Sequence, residues 1–205
     1  MKIAVVGSGP VGRALAGGWT AAGHQVVFAA RDPQRTQESV REIDGAEVVE
    51  IGAGLHSADV VVLAVPGGAA VADVVASHGA ALDGKVVVDA TNRLDGSTGS
   101  PNSIDEIRRH APGALPVRAF NSVGWEVFAG PDFDGVQADL LWCGPDATVP
   151  AAEKLIGDLG LRPVRVGGLD TLPQVDGLAA LWFALALHGG RGRHLAFKIL
   201  TTPDS

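Results

Sequence analysis

A chain of 205 residues with 46% hydrophobic and 19% charged side chains can bury one globular core with a small appended lobe, and is cramped for two independent full domains. The formal charge of −7 argues against a nucleic-acid partner, because phosphate backbones select basic faces. The single Cys143 rules out an intrachain disulfide and reads as a buried core thiol; no apolar run reaches the roughly 18 residues of a membrane span, and no signal segment opens the chain, so a cytoplasmic location is expected.

Short valine-rich runs alternate with longer segments rich in Ala and Gly, the pattern of a parallel sheet covered by helices on both faces. Strands are expected near residues 2–6, 25–30, 46–50, 59–65, 85–90, 116–120, 137–143 and 162–166, with helices over 11–22, 33–43, 69–79, 103–110 and 151–158. The runs at 4–6, 60–65 and 86–88 do not alternate with polar residues, so those strands should be central and buried on both faces. A soft boundary near Asn121 divides a core (1–120) from an extension (121–205) that completes the sheet and ends in helix. In that last segment Leu172, Val175, Leu178, Leu181, Trp182, Leu185 and Ala186 recur at helical spacing. The stretch 178–187 is apolar nearly all round, which predicts that one side packs on its own domain and the other on a second copy, giving a homodimer.

The first strand runs into Gly7-Ser8-Gly9-Pro10-Val11-Gly12 and then a helix. In a strand–G-x-G-x-x-G–helix arrangement the first glycine permits the tight turn, the second lets backbone approach a pyrophosphate and the third lets helix lie on strand. The free N–H groups and positive end of the helix face the anion. The fold class that follows is α/β, a Rossmann-type doubly wound, mostly parallel sheet with a small C-terminal helical lobe.

The end of the second strand decides which dinucleotide is held, since an acid there accepts from a ribose 2′-OH whereas an Arg grips a 2′-phosphate. The sequence offers Ala30-Arg31 with Arg35 one helical turn on, two cations for one phosphate, and so points to NADP(H). Asp32 before Pro33 reads as a helix N-cap. Ala64-Val65-Pro66 ends the fourth strand and Asp89-Ala90-Thr91-Asn92 the fifth. Ligands lie outside the carboxyl ends of strands in such sheets, so Val65 and Pro66 would line the nicotinamide half. Asn92 and Asn121 would bond its carboxamide or the substrate, or serve only as turn formers.

The chain has no Tyr, which excludes a Tyr-Lys dyad, and no metal-ligand spacing or Ser-His-Asp arrangement. Of the six His residues, His24, His56, His78 and His110 read as surface groups and His188 and His194 as nearer a ligand. No catalytic residue is assigned. Transfer of hydride between two bound rings needs little acid–base help.

Across nearly its whole length the chain resembles the NADPH-dependent F420 reductase family. The resemblance rests on the opening MKIAVVGSGPVGRALA, the Arg31 turn, ADVVVLAVP at 58–66, VRAFNSVGWE at 117–126, LLWCG, LGLRPVRVGGL at 159–169 and AFKIL at 196–200. It implies a small dimeric Rossmann protein passing hydride between NADP(H) and the deazaflavin F420. It also implies NADP contacts at Ser8, Gly9, Pro10, Val11, Ala30, Arg31, Arg35, Val65, Pro66, Ala119 and Asn121. Arg93, Arg118, Arg191 and Arg193 are candidates for the anionic tail of F420. The turn Asp89 to Leu94 is closer to related NADP-binding reductases, including the cytoplasmic domain of membrane ferric reductases. Reduction of a small organic substrate or ferric chelate therefore stands as an alternative, as does a regulatory NADP-binding module without turnover.

Overall fold

The computed structural model describes residues 1–93 and 100–202; Leu94, the last residue of the turn read above, lies outside them. In chain order the first half gives β1 (Lys2–Val6), α1 (Pro10–Ala21), β2 (Gln25–Ala30), α2 (Pro33–Val40), β3 (Glu47–Glu50), α3 (Ile51–Ser57), β4 (Val60–Leu63), α4 (Ala69–His78), β5 (Val86–Asp89), α5 (Ile104–His110) and β6 (Leu115–Arg118). There follow α6 (Trp125–Ala129), a hairpin of β7 (Asp132–Phe133) and β8 (Val136–Gln137), β9 (Asp139–Cys143), α7 (Val149–Gly157), β10 (Arg162–Gly167) and α8 (Leu172–Phe183), which ends in a π turn at Ala184–His188.

The main sheet has the order β10-β9-β6-β5-β4-β1-β2-β3, so its first six strands wind 3-2-1-4-5-6, the doubly wound order that places a crevice where the strand order reverses at β1 and β4. All ladders are parallel except β6 with β9, which run antiparallel and meet only at Arg118 and Cys143. Successive residues of the central strands feed opposite cores. Ile3, Val5, Phe28 and Val62 pack with Trp19, Phe120 and Leu155 on one face, while Ala4, Val6, Val61 and Leu63 pack with Leu55, Val75 and Ile107 on the other. Burial on both faces accounts for the unbroken apolar runs.

Two features depart from expectation. The segment Ile51–Ser57 is helical although two of its seven residues are glycine, which disfavours helix; tertiary contacts override the propensity. A Cβ on Gly54 would stand 2.7 Å from that of Ala29, and Lys85 Nζ donates to the carbonyls of Leu55, His56 and Ala58 at 2.7–2.8 Å, tying down the helix end. Burial lowers the pKa of that ammonium, with Asp59 opposing the shift. His24 is buried rather than on the surface, its Nε2 2.6 Å from Asp158 Oδ2 and its Nδ1 3.3 Å from the N-terminal amine. As expected, the last helix packs one side on its own domain, the stripe Val175, Ala179, Trp182 and Ala186, and leaves Leu181 and Leu187 about half exposed.

The segment after the π turn returns to the sheet. Phe197 bridges Asp139, whose buried carboxylate accepts from Arg162 at 2.6 and 2.7 Å, Lys198 at 3.1 Å and the Ile199 N–H at 2.7 Å. No helix among the described residues is long and apolar enough to cross a membrane.

Candidate active site

The carboxyl ends of β1, β2, β4 and β5 open onto a cleft in two parts, which share Gly7, Ser8 and Val65. The part over β2 encloses about 400 Å³ and the part over β5 about 570 Å³. Between them stands the glycine loop. Gly7 has φ +118°, and a Cβ there would lie 2.4 Å from the Ala64 carbonyl oxygen; only glycine allows β1 and β4 to approach so closely. A Cβ on Gly12 would lie 2.0 Å from the Gly7 carbonyl oxygen, so Gly12 sets the distance between helix and loop. Over Gly9 there is open space. Helix α1 starts with Pro10 at its first position, and its first bond runs from the Arg13 N–H to the Gly9 carbonyl. The N–H groups of Val11 and Gly12 are thereby left without an intrahelical acceptor, at the positive end of the helix.

At the end of β2, Ala30, Arg31 and Arg35 line the smaller part. Arg31 is exposed. Asp32 is the N-cap of α2, its carboxylate accepting from the Arg35 N–H at 3.0 Å.

At the end of β5, Asn92 lines the larger part over a buried polar cluster. Asp89 and Arg118 are fully buried and 3.4 Å apart. Asp89 accepts from Thr91 N–H (3.0 Å), Thr91 Oγ1 (2.6 Å) and Ser103 N–H (2.6 Å). Arg118 donates to the carbonyls of Asp89 (3.2 Å) and Thr91 (2.5 Å), to Asn92 Oδ1 (3.3 Å) and to Asp176 Oδ1 of α8 (2.9 Å). Expected as an anion grip, Arg118 is instead sealed beneath the cleft with its donors spent, because the β5 turn and α8 close over it. Asn121 is 1% exposed, and neither polar atom of its side chain has a partner. An orphaned buried amide is unusual in a folded chain.

The wall opposite the glycine loop is aromatic and comes entirely from the chain after β6. Phe120 has φ +62°, in the left-handed region, a strained conformation for a bulky residue. It is held by edge-on rings of Trp19 (5.5 Å) and Phe128 (5.8 Å). Trp125, Trp182 and Phe183 continue the wall. Trp182 is buried and donates to the Leu195 carbonyl at 2.8 Å. The Arg193 guanidinium lies 5.5 Å over its ring and donates to Glu126 Oε1 at 2.5 Å. Among the described residues Arg193 is the one cation that lines this part; Arg191 and His188 are exposed and line neither part. His194 contacts the Gly130 carbonyl at 2.7 Å and stacks on Phe133. Cys143 lies deep in the core with its thiol pushed up to about 11 by burial, so it is an inert packing residue.

Of the residues singled out in the sequence, Gly7, Ser8, Gly9, Pro10, Val11, Ala64, Val65, Pro66 and Asn92 converge on the larger part, and Ala30, Arg31 and Arg35 on the smaller. Gly12, Ala119 and Asn121 line neither, being packed behind the walls. The sequence reading did not assign Phe120, Trp125 and Phe183 to the cleft. The available signal was that aromatics make up only 5% of this chain, yet several cluster in the segments 120–128 and 182–183.

Residues 2–93 match the family described as NADP oxidoreductase, coenzyme F420-dependent. The F420-dependent NADP reductase of Methanothermobacter thermautotrophicus is 27% identical over 227 aligned positions, covering 100% of this chain and 97% of its own length. A crystal structure from Arthrobacter sp. FB24, a candidate F420-dependent NADP reductase, superposes with a TM-score of 0.84 at 27% identity, covering 98% of this chain and 100% of that one. An imine reductase from Aspergillus terreus shares the fold, with a TM-score of 0.66 at 22% identity over 92% of this chain and 64% of that one. The chain is an NADP-dependent oxidoreductase that is similar to the F420-dependent NADP reductases, the match to their family model lying in residues 2–93.

Proposed function

We propose that the chain passes hydride between NADP(H), laid across both parts of the cleft, and a planar deazaflavin of the F420 type seated against the aromatic wall. The observation that carries this reading is the unequal chemistry of the two parts. Beyond the glycine loop the larger part is walled by apolar and aromatic side chains, with Asn92 and the paired Arg193 as its polar side chains apart from Ser8. Among the described residues no carboxylate, His or Lys lines it to serve as a proton donor. Hydride exchange between two rings requires none; reduction of an isolated carbonyl usually does.

The residues fit the nucleotide. Arg31 and Arg35 would take the 2′-phosphate, the Val11 and Gly12 N–H groups with the open space over Gly9 the pyrophosphate, and Val65, Pro66 and Asn92 the nicotinamide end. NADPH supplies the hydride. The protein's part is to hold the two reacting carbons roughly 3–3.5 Å apart and keep water from the contact, and Phe120, Trp125, Trp182 and Phe183 are placed to do this. Arg193, already leaning on Trp182, would meet the anionic portion of the second cofactor at the rim.

The outward face of α8 is proposed to meet a second copy, and a cytoplasmic location belongs to the same reading. The test is anaerobic mixing of the protein with NADPH and F420, FMN or a ferric chelate. Bleaching of the deazaflavin absorbance with stoichiometric oxidation of NADPH is expected for F420 alone. Oxidation with the chelate and not with F420 would move the assignment to the metal reductases, and binding without oxidation to a regulatory module.

A further inference from the structure

Asn92 reaches the larger part of the cleft with its amide polarity already decided. An Asn side chain can turn over, exchanging O and N, unless its neighbours forbid it. Here both do. Arg118 Nη2, which can only donate, is 3.3 Å from one end of the amide, and the Asn121 carbonyl, which can only accept, is 3.0 Å from the other. Turning the amide over would set donor against donor and oxygen against oxygen. Arg118 cannot yield, because its remaining donors serve the Asp89 and Thr91 carbonyls and Asp176 of α8, and it is itself fully buried. Asp176 is fixed in turn by Asn102, whose amide donates to it at 2.6 Å.

We infer that Arg118 is a positioning residue: it holds Asn92 as an obligate hydrogen-bond donor, so that the second Asn92 N–H is the group that meets the carboxamide oxygen of the nicotinamide. The inference rests on the proposed seating of NADP(H). It assigns the direction of the contact and the residue that enforces it. Because Arg118 is bound to Asp176, the same contact ties the nicotinamide site to α8, the helix that carries Trp182 and Phe183 to the acceptor wall.

Three ligands separate the outcomes: NADP⁺, its 3-acetylpyridine analogue, which keeps the carbonyl oxygen and replaces the amide NH₂ by methyl, and 2′,5′-ADP, which lacks the nicotinamide. Affinities are measured for wild type, Asn92→Ala and Arg118→Lys. The Lys variant keeps the charge that Asp89 and Asp176 require, but its three donors cannot serve Asp176, the Asp89 and Thr91 carbonyls and Asn92 all together, as the five of the guanidinium do. Asn92→Ala should weaken NADP⁺ and the analogue by the same factor, roughly fivefold for one neutral hydrogen bond, and leave 2′,5′-ADP unchanged. Arg118→Lys should reproduce that pattern, which a merely structural lesion would not, since it would lower all three. Loss of NADP⁺ binding with the analogue unaffected would show Asn92 accepting from the NH₂ and overturn the inference. So would an Arg118→Lys protein with wild-type affinity for all three, or with all three weakened alike. A wild-type chain that binds none of the three overturns the cofactor reading itself, and the inference with it.

Discussion

The two parts of the cleft are built on opposite terms. Around the smaller part, the groups read as ligand contacts are surplus to the fold. Arg31 is exposed, and Arg35 lends only its backbone N–H to the Asp32 cap. Around the larger part much of the lining is core or tied to it: Trp182 is 1% exposed, Phe120 is wedged between two rings, and Arg193 is paired. Ligand preference in the first can change without touching stability, whereas in the second the two are inseparable. Nucleotide specificity should therefore be the more easily altered property and acceptor specificity the more resistant one.

The largest test of that contrast is Trp182→Ala. Removing a buried indole typically costs about 3–5 kcal/mol, and here it also leaves the Leu195 carbonyl unpaired and Arg193 without its ring. Thermal unfolding should show the loss directly. Turnover with the acceptor should vanish even at temperatures where the fold survives. A variant of wild-type stability that merely loses turnover would mean that the wall is not core, and the contrast would fail.

Arg31→Ala is the counterpart in the other part. Loss of a charge-assisted contact to the 2′-phosphate is worth about 1.5–3 kcal/mol, so NADPH affinity should fall by at least an order of magnitude. NADH affinity and the melting temperature should hardly move. Equal losses for the two nucleotides would remove the basis for assigning a 2′-phosphate to this turn.

The same contrast governs what could be read from the sequence. The nucleotide part follows local rules: a glycine at φ +118°, another against a carbonyl, Pro at a helix start, Arg after a strand, each legible within a few residues. The central strands were legible for the same reason, since burial on both faces leaves an unbroken apolar run. The acceptor wall follows no local rule. Trp182 recurs at core spacing along α8 and is core, yet its ring edge also forms the cleft, and only the return of the chain past β10 shows this. Arg118 reads as one more basic residue at a strand end until the partners from β5 and α8, as far as 58 residues away, are assembled around it. Helix α3 escaped because its glycines argue against helix and its stabilising contacts come from Ala29 and Lys85.

A smaller effect should follow from acid. Burial pushes the Asp139 carboxyl up, but hydrogen bonds from Arg162, the Ile199 N–H and Lys198 outweigh it, and the net shift is downward. A carboxyl whose pKa is depressed by folding contributes stability that is complete above the unfolded value, about 3.9, and lost as pH falls through the lower folded value. Release of residues 196–200 from β9 should therefore appear only below about pH 4, seen as faster hydrogen exchange at Ile199. At neutral pH Asp139→Asn should produce the same release at a cost of about 1.5 kcal/mol. Tail release on mild acidification to pH 6 would point to a different group.

The smallest effect on the protomer is expected at Leu181. Its side chain is 48% exposed and shares the outward side of α8 with Ala184 and the 49%-exposed Leu187, while the buried stripe of the same helix faces the sheet. Leu181→Glu removes no intramolecular packing of consequence, so the unfolding free energy extrapolated to low concentration should stay within about 0.5 kcal/mol of wild type. If α8 meets its copy in a second molecule, a glutamate there places two like charges in an apolar contact, and the solution mass should fall from dimer to protomer. That separates the outer face of the helix from its inner one: truncating Trp182, the next residue in sequence, should destabilise the fold, whereas Leu181→Glu should only divide the dimer. A wild-type mass equal to one protomer would remove the dimer and leave the outward leucines as ordinary surface.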